Sequence, residues 1–540
     1  MTTWAAAGAQ AAVGDKAAAA LATVATRCAG GDELKLRAWM VVTAVWVAGA
    51  ARAEVRLPMM LSDHAVLQRG APVHVWGWSS PGAHLTARFH QQAVEARADE
   101  RGKWSLYLAP ESAGGPYTLT VSGDGPDKTI RDLLVGDVWF ASGQSNMEMP
   151  LNGFPPNAVV KDAAAEIAAA DNPKLRLLLV EHKTSDVPLT DITTSWTECT
   201  PATAATFSAV AYFFGREIVA KENVAVGLVD ATWGGTPADS WVSLDTLGTR
   251  PELLPAFASR ARFAAAQTDL AETIAAEKRE DAAARAAGKR APEHPWHPDE
   301  ASWSPAGLYN GMVAPFTPMT VKGFIWYQGE TNSARDRAPY YDTLFAGLIG
   351  DWRMHFAQGN LPFLYVQISS FYSPGEDWGM VREQQRRVLS VANTAMAVSL
   401  DVGLANNVHP PDKQTVGGRL ALAARGMVYG EKVDYLGPIY KQATGEMLPD
   451  GTQALRVWFE HGEGLNARGQ GVGDFELAGD DHHFVAAEAR IEGDMVEVRS
   501  KSIAQPRYVR YGWSSVVTHI LYNAAGLPLS TFSSEPHLIN

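Results

Sequence analysis

Cysteine is nearly absent from this chain: Cys28 and Cys199 are its only two in 540 residues. That rules out a disulfide-stapled scaffold, and no Cys/His/Asp cluster has the spacing of a metal site, so neither a metal nor a cofactor is expected. Positive charge is also short. With 46 Lys and Arg against 59 Asp and Glu, the formal net charge is −13. A nucleic-acid partner needs a basic footprint and an anionic membrane surface attracts one, so both are excluded as partners. Apolar runs long enough to cross a bilayer are missing too; the longest candidate, WMVVTAVWVAGA at 39–50, is too short for a spanning helix.

That short run has the layout of an export signal. Lys35 and Arg37 precede it, and Ala51, Arg52 and Ala53 follow in an A-x-A pattern, so cleavage before Glu54 is expected. The alternative is a buried core helix. Residues 1–33 lie upstream, Ala-rich and without periodicity, and suggest a start codon placed too early. Cleavage removes Cys28 and leaves Cys199 alone, for a periplasmic or secreted protein without membrane insertion.

The rest divides by rhythm. From 54 to 132, short alternating strands (HVWGW, HLTARF, WSLYLA, YTLTVSG) are separated by Gly/Pro turns, the pattern of an antiparallel β-domain. Its tryptophans read either as half-buried core or as a sugar-binding surface. From 133 to 430, five apolar segments (133–142, 225–233, 321–328, 361–369, 394–402) alternate with helix-like stretches at 207–222 and 340–358. Strand alternating with helix predicts an α/β domain: a parallel sheet covered by helices on both faces. Residues 251–291, rich in Ala, Glu, Lys and Arg, read as a solvated helical insertion, and HPWHP (294–298) as a rigid turn rather than a metal site. From 431 to 540 strands return as a second β-region, with an aromatic tail that either folds towards the active site or packs between domains.

In an open α/β sheet the ligand crevice lies beyond the C-terminal strand ends. The residues there are Gly143-Gln144-Ser145-Asn146, Gly234-Gly235-Thr236, Gln328-Gly329-Glu330-Thr331-Asn332, Ser369-Ser370, and Asp401 with the loop to His409. Hydroxyl, glycine, amide, carboxylate and imidazole together are the inventory for acyl transfer. GQSN is not the G-x-S-x-G elbow of ordinary α/β-hydrolases, and protease or lipase readings are poorer.

WFASGQSNMEMPL, LVDATWGGTPADSW, LYNGMVAPF, KGFIWYQGETN and VHPPDKQTVGGRLAL, with FELAGDDHHFVAAEARIEGDMVEV, RYGW and LYNAAGLPLSTF, resemble the sialate O-acetylesterase-like branch of the SGNH hydrolases. The resemblance runs from about residue 55 to the end. It implies a flavodoxin-like three-layer α/β/α domain with flanking antiparallel β-domains, and a serine esterase that removes O-acetyl groups from carbohydrate. Sialic acid and hemicellulose such as xylan or xyloglucan are both candidate substrates.

Carried over by position, Ser145 is the nucleophile and His409 the general base. The backbone amides of Ser145 and of Gly234 or Gly235 line the oxyanion hole. A third donor comes from Gln328, the better placed at its strand end, or from Asn332. The chain departs from the family where an Asp is usual three residues before the histidine: it has Asn406 and Asn407. In serine proteases an Asn in that role costs about ten-thousandfold in turnover. Three outcomes stay open: a backbone carbonyl orients His409; another acid does, with Asp401 first and Glu330 second; or the protein is a weak or inactive secreted carbohydrate-binding protein. Glu330 otherwise reads as orienting its neighbours. On the substrate, Arg335, Arg337 and Arg419 would suit an anionic sugar, whereas Trp233, Trp241, Trp303 and Trp326 would wall a cleft for a neutral glycan, the favoured reading.

Overall fold

Trp139 and Phe140 adjoin in the chain and, as strand neighbours, point to opposite sheet faces. Both are fully buried. Trp139 meets Phe214, from the helix Ala209–Glu222, whereas Phe140 meets Trp352 and Phe356, from the helix Tyr341–Phe356. Helices therefore cover both faces, the three-layer α/β/α arrangement expected. The structure, a computed structural model, describes residues 54–292, 294 and 297–538. The expected signal segment and cleavage site lie at and before the edge of these residues, and Cys28 lies outside them.

All five anticipated strands are present and parallel. The order across the sheet is Thr394–Val398, Phe363–Gln367, Gly323–Tyr327, Lys128–Gly143, Ala225–Thr232, Asn172–Leu179, Trp196–Cys199, the last antiparallel. The Asn172–Leu179 and Trp196–Cys199 strands were not anticipated: in NPKLRLLL a proline and two cations among the first five residues hide the apolar run. Strand order reverses around Lys128–Gly143, since the next parallel strands in the chain lie on one side of it and the later three on the other. That switch point is where a crevice opens.

Lys128–Gly143 also crosses the expected boundary at 132/133. Its early residues pair antiparallel with Gly114–Ser122 and its middle pairs with Val66–Gln68. The insertion forms two helices, Pro255–Ala266 and Leu270–Ala286; His294 and His297 bond Asp281 and Glu277 of the second. The C-terminal region forms two separate four-stranded sheets, neither shared with the N-terminal strands. Its tail reaches the sheet's C-terminal end, where Val517 donates its backbone N–H to Ser370 Oγ at 3.1 Å. Among the described residues no helix is long and apolar enough to cross a membrane.

The last residue of the central strand must be glycine. Gly143 has φ +136°, and a Cβ there would stand 2.1 Å from the Tyr327 carbonyl oxygen. Gly143→Ala is expected to lower unfolding free energy by about 3 kcal/mol, read from the denaturant midpoint, because only backbone movement relieves that overlap.

Candidate functional site

Ser145 opens a four-residue helical turn, Ser145–Glu148, directly after the central strand. Such a turn leaves its first N–H groups without intrahelical partners. Gln144 fixes its position: its backbone N–H donates to Tyr327 O at 3.0 Å, and its side-chain oxygen accepts from Thr331 N at 3.2 Å. The YQGETN loop and the Ser145 turn are thereby clamped together. Gly234 packs against the same turn, where a Cβ would lie 3.2 Å from Ser145 Cβ and 2.7 Å from Glu148 Oε2. Gly235 supplies the left-handed bend, φ +69°, that follows. Of the two glycines, Gly234 is the one brought against the serine.

Asn332 and Gln328, the alternative third donors, are both buried but differ in what they have left to give. Gln328 Nε2 is spent on Asn332 Oδ1 at 2.6 Å and Thr236 O at 3.2 Å, while its oxygen accepts from the Tyr341 hydroxyl. Asn332 Oδ1 also accepts from Ala238 N, which leaves Nδ2 as a buried donor without a partner. The preference for Gln328 is therefore corrected. Gln328 holds Asn332, and Asn332 keeps the free N–H.

His409 precedes the helix Lys413–Met427, and its ring lies edge-on to Phe154 with centroids 5.4 Å apart. Asn407 Oδ1 accepts from the backbone N–H of His409, and Asn406 is exposed, so neither asparagine holds the imidazole. Asp401, the first orienting acid expected, is corrected: both its oxygens take a fork from Arg419, at 2.6 and 2.7 Å. Glu330 is committed elsewhere too, accepting from Asn146 Nδ2 at 2.6 Å. Among the described residues no carboxylate pairs with the His409 ring, and its Nε2 is buried without a hydrogen-bond partner.

Two residues that were given no role from the sequence complete the site: Asn146, of the strand-end group, and Lys413. Asn146 Nδ2 donates to Glu330 and to the Val408 carbonyl at 2.9 Å, and its Oδ1 accepts from Lys413 Nζ. Asn146 and Lys413 are fully buried. Burial pushes Lys413 down to about 7, against the pull of Glu330, and pushes Glu330 up. His409 falls to about 4, first through burial and then through the nearby Lys413 charge. Lys413 escaped sequence reading because a lysine opening an amphipathic helix ordinarily faces water.

Beside the serine turn, His182 Nε2 meets Glu148 Oε1 at 3.0 Å and stacks on Trp233 at 4.2 Å. Trp233 is thus the one expected wall tryptophan that reaches the site. Trp241 and Trp326 are fully buried core, and Trp303 stacks on Phe263. A cavity of about 730 Å³ adjoins this corner, lined by Glu148, Phe154, Glu181, His182, Asp230 and a row of threonines.

Residues 286–425 match the family described as carbohydrate esterase, sialic acid-specific acetylesterase. The mouse sialate O-acetylesterase is 30% identical over 437 residues, 72% of this chain and 76% of that protein. The chain belongs to the sialate O-acetylesterase family. It is accordingly a carboxylic ester hydrolase. The human sialate O-acetylesterase is 28% identical over 442 residues, 73% of this chain and 75% of that protein. Among solved structures, a carbohydrate acetylesterase from Xanthomonas citri is 37% identical with a TM-score of 0.76, covering 89% of this chain and 100% of that one. The likeness extends to the flavodoxin-like fold and its flanking β-regions.

An NMR titration of the His409 ring should find its midpoint near pH 4 rather than 6.5. In Lys413→Met it should move up but stop short of 6.5, since burial, the larger cause, remains. The unfolded chain takes this proton from about pH 6.5 downward and the folded one only near 4, so His409 lowers stability as pH falls through that window.

Proposed function

We propose that the protein is an exported serine esterase that removes O-acetyl groups from a neutral carbohydrate through an acetyl-enzyme intermediate. The observation that carries the mechanism is the buried, unpartnered Asn332 Nδ2 in the loop clamped to Ser145 and Gly234. A donor held dry and unused in the resting site is ready for charge that develops only during reaction. In this reading His409 takes the Ser145 proton as Oγ attacks the acetyl carbonyl. The oxyanion accepts from Ser145 N, Gly234 N and Asn332 Nδ2. Collapse breaks the bond to the sugar oxygen, which leaves with the proton from His409. Water, deprotonated by His409, then releases acetate from the serine.

No acid pairs with His409 in this reading, so Ser145 and His409 act as a dyad. Orientation comes from the peptide at Val408, tied through Asn146 to Glu330, and from the Phe154 edge. The imidazole is a weaker base than one supported by a carboxylate, which favours modest turnover.

Charge supports the neutral substrate. The cavity at the His182 corner, reached from the Ser145 turn by Glu148, carries Glu148 and Glu181 and neither lysine nor arginine. Arg419 is locked to Asp401, Arg335 lies near Asp377, and Arg337 sits over the Trp303 ring. Arg419 and Arg337 are thus engaged within the fold, and the Arg335 side chain is 74% exposed at the surface.

The expected outcome is acetate release from 4-nitrophenyl acetate and from acetylated xylan oligosaccharides, abolished in Ser145→Ala. Asn332→Ala should lower kcat about a hundred- to a thousandfold with little change in KM. Release from 9-O-acetylated sialic acid should be the slowest of the three. No release from any substrate would leave the inactive carbohydrate-binding reading, which the missing acid favours. For export, N-terminal sequencing of the protein from a secreting host should begin at Glu54; a longer product retained in the cytoplasm would refute that reading.

A further inference from the structure

A second cavity, of about 940 Å³, shares no residue with the site above. One wall is the antiparallel strand pair Val73–Trp78 and Lys103–Leu108. Val73 and Val75 face the core, so the alternate positions His74, Trp76 and Trp78 fall on the other face, where a β-domain would ordinarily present polar residues to water. His74 is sandwiched between Trp76, at 4.9 Å, and Tyr107, at 4.7 Å, in a continuous aromatic row, and Tyr107 is 60% exposed. Trp78 is half-buried, with Arg56 across its ring. On the catalytic side the cavity meets Asp186, Val187, Leu244, Asp245 and Tyr309. Val187 and Leu244 are left 63% and 54% exposed.

The polar chemistry of the lining is complementary. Lys103, opposite Trp78 on the same face, brings a donor to the lining, and His74 Nε2 is buried without a partner. His74 Nδ1 lies 3.0 Å from the Pro318 carbonyl, which can only accept, so Nδ1 carries the proton and Nε2 offers a lone pair. Burial holds the ring neutral and so preserves that pattern. The exposed carboxylates of Asp186 and Asp245 make no ion pair among the described residues. Aromatic faces together with separate donors and acceptors match a pyranose, which has apolar C–H faces and hydroxyls that both donate and accept.

We propose that this cavity is a second, non-catalytic glycan-binding site that holds a stretch of neutral oligosaccharide while another part of the chain reaches Ser145. The inference rests on the carbohydrate reading above. The segment 181–190 connects the two places: His182 stacks on Trp233 at the site, and Asp186 to Thr190 line the cavity.

The test uses the full-length protein carrying Ser145→Ala, with xylohexaose and cellohexaose as probes in isothermal titration calorimetry. Binding of at least one hexaose is expected, weakened about tenfold by Trp78→Ala or by Asp186→Ala with Asp245→Ala, and restored by Trp78→Phe. In the otherwise wild-type enzyme, Trp78→Ala should raise KM for acetylated xylan several-fold and leave kcat/KM for 4-nitrophenyl acetate unchanged, which also shows that the variant is folded. Absence of hexaose binding, or binding indifferent to Trp78 and the two aspartates, overturns the inference even where Ser145-dependent acetate release stands. Trp78-dependent binding in a protein that releases no acetate supports the second site and counts against the esterase mechanism alone.

Discussion

Asn146 is the residue on which the site depends. One buried amide joins three segments that are far apart in the chain. Its nitrogen serves Glu330 and the Val408 carbonyl, and its oxygen serves Lys413. Each segment carries or adjoins a group the proposed chemistry uses: Ser145 is the residue before Asn146, Asn332 follows Glu330 by two, and His409 follows Val408. An amide can do this where a carboxylate or ammonium cannot, because it donates and accepts at once. Held between a buried carboxylate and a buried ammonium, it also fixes which way round it sits. Breaking such a network strands charge away from water, so the arrangement is rigid by necessity.

That rigidity bears on the acid missing near His409. In a serine triad the acid orients the imidazole and stabilises its protonated form. Here orientation falls to packing and a tethered peptide, while the nearest charge is the cation Lys413, which works against protonation. In the proposed dyad, basicity is given up. Burial and the Lys413 charge both favour the neutral imidazole.

The fold was largely legible because buried parallel strands are uniformly apolar, and five such runs stood out between helical stretches. Asn172–Leu179 did not, since Pro173, Lys174 and Arg176 interrupt its apolar residues. At the candidate site, Ser145 and the Gly234-Gly235 pair stood out by their places at strand ends, and His409 by the loop before the final helix. The choice between Gln328 and Asn332 could not: it turns on the Tyr341 hydroxyl and the Thr236 carbonyl, contacts that only the folded chain creates. Asp401 misled for the same reason. Its strand-end position was right, but Arg419, one helix later, claims both oxygens. Lys413 shows the converse, a residue type that signals water placed in complete burial.

The central strand Lys128–Gly143 runs unbroken from the N-terminal β-region to the turn that carries Ser145. Asp137, midway along it, is gripped by Gln68 and Arg69 from the N-terminal segment and by the Tyr429 hydroxyl from beyond the final helix. The β-region is therefore not a bead on a string. A gene fusion that borrowed the catalytic sheet alone would cut through hydrogen-bonded backbone and leave a buried carboxylate without its guanidinium.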